Sequence, residues 1–122
     1  MTKEEIENVI KRYPHITDAI RLEASEAVFY VGNRKFVICI TEEIKTVCDL
    51  VEMIFTREKN NLIKQMIKEI ISGKSDIFIM LNMPYSKNAY YARKQAFMAK
   101  IYNCCIARGL VTFEDVINEE IA

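Results

Sequence analysis

Apolar positions recur with two periods along this chain, helical over most of its length and alternating over one short stretch. Ile6, Val9 and Ile10 keep helical spacing behind Thr2 and Glu5, whose three-residue separation makes a capping box. Tyr13 continues that spacing up to Pro14, which ends or kinks the helix. Ile16, Ala19 and Ile20, with Glu23, extend a second short helical piece. Val28-Phe29-Tyr30-Val31 and Phe36-Val37-Ile38-Cys39-Ile40 are β-branched and aromatic runs around Gly32-Asn33-Arg34-Lys35. They predict a small β-hairpin over residues 28–40, with Gly32 and Asn33 both taking the positive φ angles of the turn. A hairpin alone is marginal in water, so it must pack on helices or pair with a second copy.

From Thr41 onward the period is helical. Thr41 is a cap, Glu42 and Glu43 suit the positive end of a helix, and Ile44, Val47, Cys48, Val51, Ile54 and Phe55 form its apolar stripe. The polar run from Thr56 to Asn61 interrupts it. Leu62, Ile63, Met66, Ile67, Ile70 and Ile71 define another amphipathic helix, stopped at Ser72-Gly73. Asp76 to Asn82 reads as a short apolar helix, Met83-Pro84-Tyr85 as a break, and Ser86 as the N-cap of a long helix. Along that long helix Tyr90, Phe97, Ile101 and Cys104 are the ridge expected to face the core. Thr112, boxed with Asp115, opens a last helix carrying Val116, Ile117 and Ile121. The pattern predicts a mainly α fold: an N-terminal unit over 1–40, holding the hairpin, and a helical domain over 41–122 with a helix-turn-helix. No repeat or linker separates the two, so one domain and two apposed lobes both fit.

Composition narrows the function classes. With 122 residues and 51% hydrophobic content the chain supports one ordinary core. It opens on Met1-Thr2-Lys3-Glu4-Glu5 and has no apolar run near the ~18 residues of a membrane span, so a soluble cytoplasmic protein without a membrane partner is expected. Cys39, Cys48, Cys104 and Cys105 include no CxxC pair, so no metal or other cofactor is expected and the cysteines read as reduced small core apolars. His15, the one histidine, has no identifiable nucleophile or acid beside it. Glu42-Glu43 and Glu119-Glu120 are adjacent and diverge on a helix, and three glycines assemble no phosphate loop. An enzyme is not expected.

Charge is what changes the picture. The total balances at 17 basic and 17 acidic residues, yet no carboxylate lies between Asp76 and Glu114, where Lys87, Arg93, Lys94, Lys100 and Arg108 fall. A cationic helix entered through a tight turn suits a polyanionic groove. On this reading Lys87, Asn88, Tyr91, Lys94 and Gln95 form the outward stripe in its first turns. Asn88 and Gln95 can each bond adenine twice, Lys87 and Lys94 can bond guanine or neutralise phosphate, and Tyr91 can reach a phosphate or a thymine methyl. Arg93 lies at the margin as a phosphate contact, and Ser86 opens the helix N-terminus to an anion. The bland alternative is an amphipathic helix with a solvated cationic face.

From about Ile38 to Val111 the chain resembles the small phage late-transcription regulators of the ArpU/RinA type. The residues that carry the likeness are Ile40-Thr41-Glu42-Glu43-Ile44, Ile71-Ser72-Gly73-Lys74-Ser75-Asp76-Ile77, Leu81-Asn82-Met83 and Ser86. It continues through Tyr90-Tyr91-Ala92-Arg93-Lys94 and Ala96-Phe97 to Ala107-Arg108-Gly109-Leu110. Pro84-Tyr85 before the cap and the Cys104-Cys105 pair depart from the pattern. The resemblance implies a helix-turn-helix like that of sigma-factor region 4, sequence-specific binding of double-stranded DNA upstream of prophage late or packaging genes, and contact with host RNA polymerase. Two rival readings are a small terminase-like packaging subunit and a polymerase- or sigma-binding module that never touches DNA. The apolar surface of the N-terminal third further predicts a homodimer, matched to a two-fold operator.

Overall fold

The computed structural model describes residues 1–121, with side chains described through residue 117. Among the described residues seven helices and one hairpin follow in the order α1 (Lys3–Lys11), α2 (Tyr13–Arg21), β1 (Glu26–Val31), β2 (Arg34–Cys39), α3 (Glu42–Arg57), α4 (Asn61–Ile71), α5 (Asp76–Asn82), α6 (Lys87–Ala107) and α7 (Phe113–Ile121). The mainly α fold with a small hairpin is therefore as the pattern predicts. The side chains of Glu119, Glu120 and Ile121 lie outside the described residues.

Capping chemistry sets most helix starts. The hydroxyls of Thr2, Thr41, Ser75 and Ser86 accept from Glu5, Ile44, Phe78 and Ala89 N–H, each three residues on. Asn60 Oδ1 accepts from Leu62 and Ile63 N–H, and Thr112 and Asp115 bond one another reciprocally as a capping box. Pro14 does not interrupt a helix but opens α2, where its missing N–H has no intrahelical role. Tyr13 thus belongs to α2, not to the end of α1. Glu23 lies beyond α2, at φ 56°, and the Glu23 and Ala24 amides bond back to Ile20 and Ala19 carbonyls. That is the Schellman closure, here with a residue that tolerates left-handed backbone poorly.

The hairpin pairs Val28 with Val37 and Phe29 with Phe36 in antiparallel register around Gly32-Asn33. Only Gly32 takes positive φ, at 61°, as in a type II′ turn; Asn33 does not, contrary to the sequence expectation. One hairpin face lies on α2: His15 stacks on Phe29 at 4.8 Å and Phe29 on Phe36 at 5.5 Å. The other face leaves Val28, Tyr30, Val37 and Cys39 exposed.

A single buried cluster unites the N-terminal helices with the rest. Ile6, Val9 and Ile10 of α1 join Val47 and Val51 of α3, Met66 and Ile67 of α4, and Tyr90, Phe97 and Ile101 of α6. The apolar face of α1 is therefore satisfied within the chain, and what the N-terminal third leaves uncovered is the outer face of the hairpin and Leu22. The cysteines divide: Cys48 and Cys105 are buried, Cys104 is half-buried, and Cys39 is exposed rather than part of the core. Burial pushes the Cys48 thiol up to about 12, with Asp49 adding to it, so Cys48 behaves as a small apolar group. The ammonium of Met1 lies 2.6 Å from the Leu110 carbonyl and 3.1 Å from Asp115, fastening the α6–α7 turn to the start of α1.

Candidate nucleic-acid interface

Helices α4, α5 and α6 form a three-helix unit in which α4 packs on both of the others. Residues 83–86 connect α5 to α6. Met83 is buried, which anchors the turn, and Ser86 then caps α6 with its hydroxyl 3.2 Å from Ala89 N–H. A connection this short matches the three- to four-residue turns of helix-turn-helix pairs. The amides of Lys87 and Asn88 follow the cap without intrahelical acceptors, so the exposed N-terminus of α6 favours an anion.

A side-chain clip fixes α5 against α6. The Tyr90 hydroxyl donates to Asp76 Oδ1 at 2.6 Å, and Lys94 Nζ reaches the same oxygen at 2.8 Å. Partial burial of Asp76 disfavours its ionised form. The Lys94 and Tyr90 hydrogen bonds and the Lys94 charge outweigh that penalty, and hold the carboxyl below its ordinary value. Burial, and then the bond to Asp76, raise the Tyr90 hydroxyl well above its ordinary value, so it remains a donor.

This clip corrects the expected outward stripe. Lys94 lies four residues after Tyr90 and seven before Ile101, so it borders the core ridge and its side chain is 30% exposed. It is paired with Asp76 and is not an outward cation. Tyr91 is half-buried, its ring edge-on to Tyr90 at 5.2 Å. At the far end of the ridge Cys105, not Cys104, is fully buried. The outward face of α6 is consequently turned toward Asn88, Ala92, Gln95 and Ala99, all exposed. Ser86, Lys87, Asn88, Arg93 and Gln95 are exposed as the sequence reading requires.

Arg93 lies over the Tyr85 ring at 5.0 Å, which gives Tyr85 a role in positioning a cation. Arg93 and Lys100, seven residues apart, both line a groove of about 150 Å³ together with Ile54, Glu58, Ile63, Ile67 and Phe97. Lys100 is a candidate phosphate contact that the sequence reading passed over; its spacing from Arg93 was the available signal. Among the described residues no three His, Cys, Asp or Glu side chains converge as a metal site, and no helix is long and apolar enough to cross a membrane.

Comparison with known proteins finds no matching family model, no matching curated protein and no matching solved structure.

Proposed function

We propose that this protein is a sequence-specific DNA-binding transcription regulator of phage or prophage genes that reads the major groove with α6. The observation that carries the reading is the α5–turn–α6 unit. It presents a capped, cationic helix N-terminus with Asn88 and Gln95 on its exposed face and no acidic residue in its first turn. Asn88 and Gln95 read base edges, each offering the paired donor and acceptor that adenine matches. Lys87 contacts guanine or phosphate. Arg93 and Lys100 meet the phosphates along one strand, and Ser86 with the first amides of α6 meets another. Lys94 serves by holding α5 and α6 together, and Tyr91 contributes its hydroxyl at the margin.

One such helix covers only a half-site, so the proposal includes a homodimer on a two-fold operator. The exposed outer hairpin face of Val28, Tyr30 and Val37 is the surface proposed for it. Contact with RNA polymerase belongs to the same proposal. Selection of binding sequences from genomic fragments by the purified protein tests the reading. Recovery of a shared sequence element supports it, and recovery of fragments without one, with no salt-dependent affinity, opposes it.

A further inference from the structure

We infer that the outer face of α5 is a docking surface for an acidic amphipathic helix of another protein. Of the seven residues of α5 only Ile79 is buried, while Ile77 is 68% and Leu81 80% exposed. Phe78 is exposed beside them. Ile77 and Leu81 are four residues apart and Phe78 and Leu81 three, so these side chains share the face turned away from Ile79. Isolated exposed apolar residues are ordinary on a surface; three contiguous ones on a single short helix form a patch.

Charge selects the occupant. Lys74 Nζ lies 5.0 Å from the Phe78 ring centroid, at the edge of the patch. The one carboxylate of α5, Asp76, is directed to the opposite side and bonded to Lys94. The patch is therefore apolar, bordered by a cation, and receives no carboxylate from α5 itself. A helix that lays an apolar row on Ile77 and Leu81 and brings a carboxylate to Lys74 completes both requirements. A second copy placed on the same face would bring no α5 carboxylate to Lys74, because its own Asp76 is directed away and bonded to Lys94. Duplex DNA offers thymine methyls as its only apolar partners in the major groove, a poor match for isoleucine, leucine and phenylalanine together. The inference does not depend on what α6 binds.

The test uses two labelled peptides of about 18 residues, each with leucines at helical i, i+3, i+4 spacing. One carries glutamates between the leucines and the other lysines. Fluorescence anisotropy with the full chain should show the glutamate peptide binding at least about tenfold tighter than the lysine peptide. Ile77→Ser and Leu81→Ser should each weaken it about tenfold, and Lys74→Glu should reverse the preference. Both serine changes fall on exposed side chains, so thermal melts should match the parent. Equal binding of the two peptides, no binding of the glutamate peptide, or full binding by Leu81→Ser would overturn the inference. So would conversion of a dimer to a monomer by Leu81→Ser, which would assign the face to a second copy. Duplex binding by Ile77→Ser and Leu81→Ser should be unchanged, which separates this surface from the reading of α6.

Discussion

Replacing Asp76 with alanine should destabilise the protein by about 2.5 kcal/mol, lowering its melting temperature on the order of 10 °C. The carboxylate is the single acceptor for two donors from α6, at 2.6 and 2.8 Å. Its bond to Tyr90 is the drier of the two, because the tyrosine is fully buried, and contributes about 1.5 kcal/mol. The ion pair with Lys94 counts for less. Asp76 and Lys94 side chains keep 34% and 30% exposure, so about 0.5 kcal/mol is appropriate. A carboxylate in the first turn of α5 adds roughly 0.5 kcal/mol through the helix dipole. Urea unfolding followed by circular dichroism should give Tyr90→Phe a loss of about 1.5 kcal/mol and Lys94→Met about 0.5 kcal/mol. The double variant Asp76→Ala/Tyr90→Phe should fall short of additivity by about 1.5 kcal/mol. If all single variants unfold with the parent and the cycle shows no coupling, α5 is not held to α6 by this clip.

Phe97→Ala should cost about 3 kcal/mol in the same unfolding assay, since Phe97 is buried between α6 and the α3–α4 layer. Glu23→Gly should stabilise by about 0.5 kcal/mol, because relief of a left-handed residue exceeds the entropy added to the unfolded chain; a loss of stability would contradict the strain. Asp76 and Asp115 have lowered folded values, the latter first through the Thr112 amide. Their contribution is present above the ordinary carboxylate value of about 3.9 and is lost as pH falls through the lowered ones, so melting temperature should drop below about pH 4. Tyr13 has the opposite sign: burial, then the neighbouring Cys48, Glu52 and Asp49, raise it to about 12. Its contribution is whole below about pH 10 and fades as pH rises toward 12, and Tyr13→Phe should flatten that alkaline loss.

Secondary structure was legible because caps and breakers stand where the backbone uses them. Thr2, Ser86, Thr41 and the Thr112–Asp115 pair each place a side-chain oxygen three residues before an orphan amide, a purely local relation. The rotation of α6 was not legible to the same degree. Ala92, Ala96 and Ala99 on its outward side and Tyr91, Met98 and Tyr102 at its margin blur the apolar contrast that would orient it. Lysine is usually solvated, so its residue type alone assigns Lys94 outward. Its partner lies 18 residues away on another helix, a distance no local pattern reports. For the same reason the capture of the Met1 ammonium by Leu110 and Asp115 left no trace in the sequence. Of the expected stripe, Lys87, Asn88 and Gln95 remain outward, while Lys94 and Tyr91 are drawn toward the core.

The central claim is that the exposed face of α6 reads DNA, and a fluorescence-anisotropy titration at several salt concentrations tests it most directly. The duplex carries the selected sequence element, with its scrambled counterpart as control. Asn88→Ala should lose about 1–3 kcal/mol on the selected duplex and little on the scrambled one. Lys100→Ala should weaken both and lower the salt slope by about one unit, whereas Lys94→Met should leave the slope unchanged because Lys94 is already paired. Parent-like binding by folded Asn88→Ala, Gln95→Ala and Lys100→Ala variants would contradict the claim.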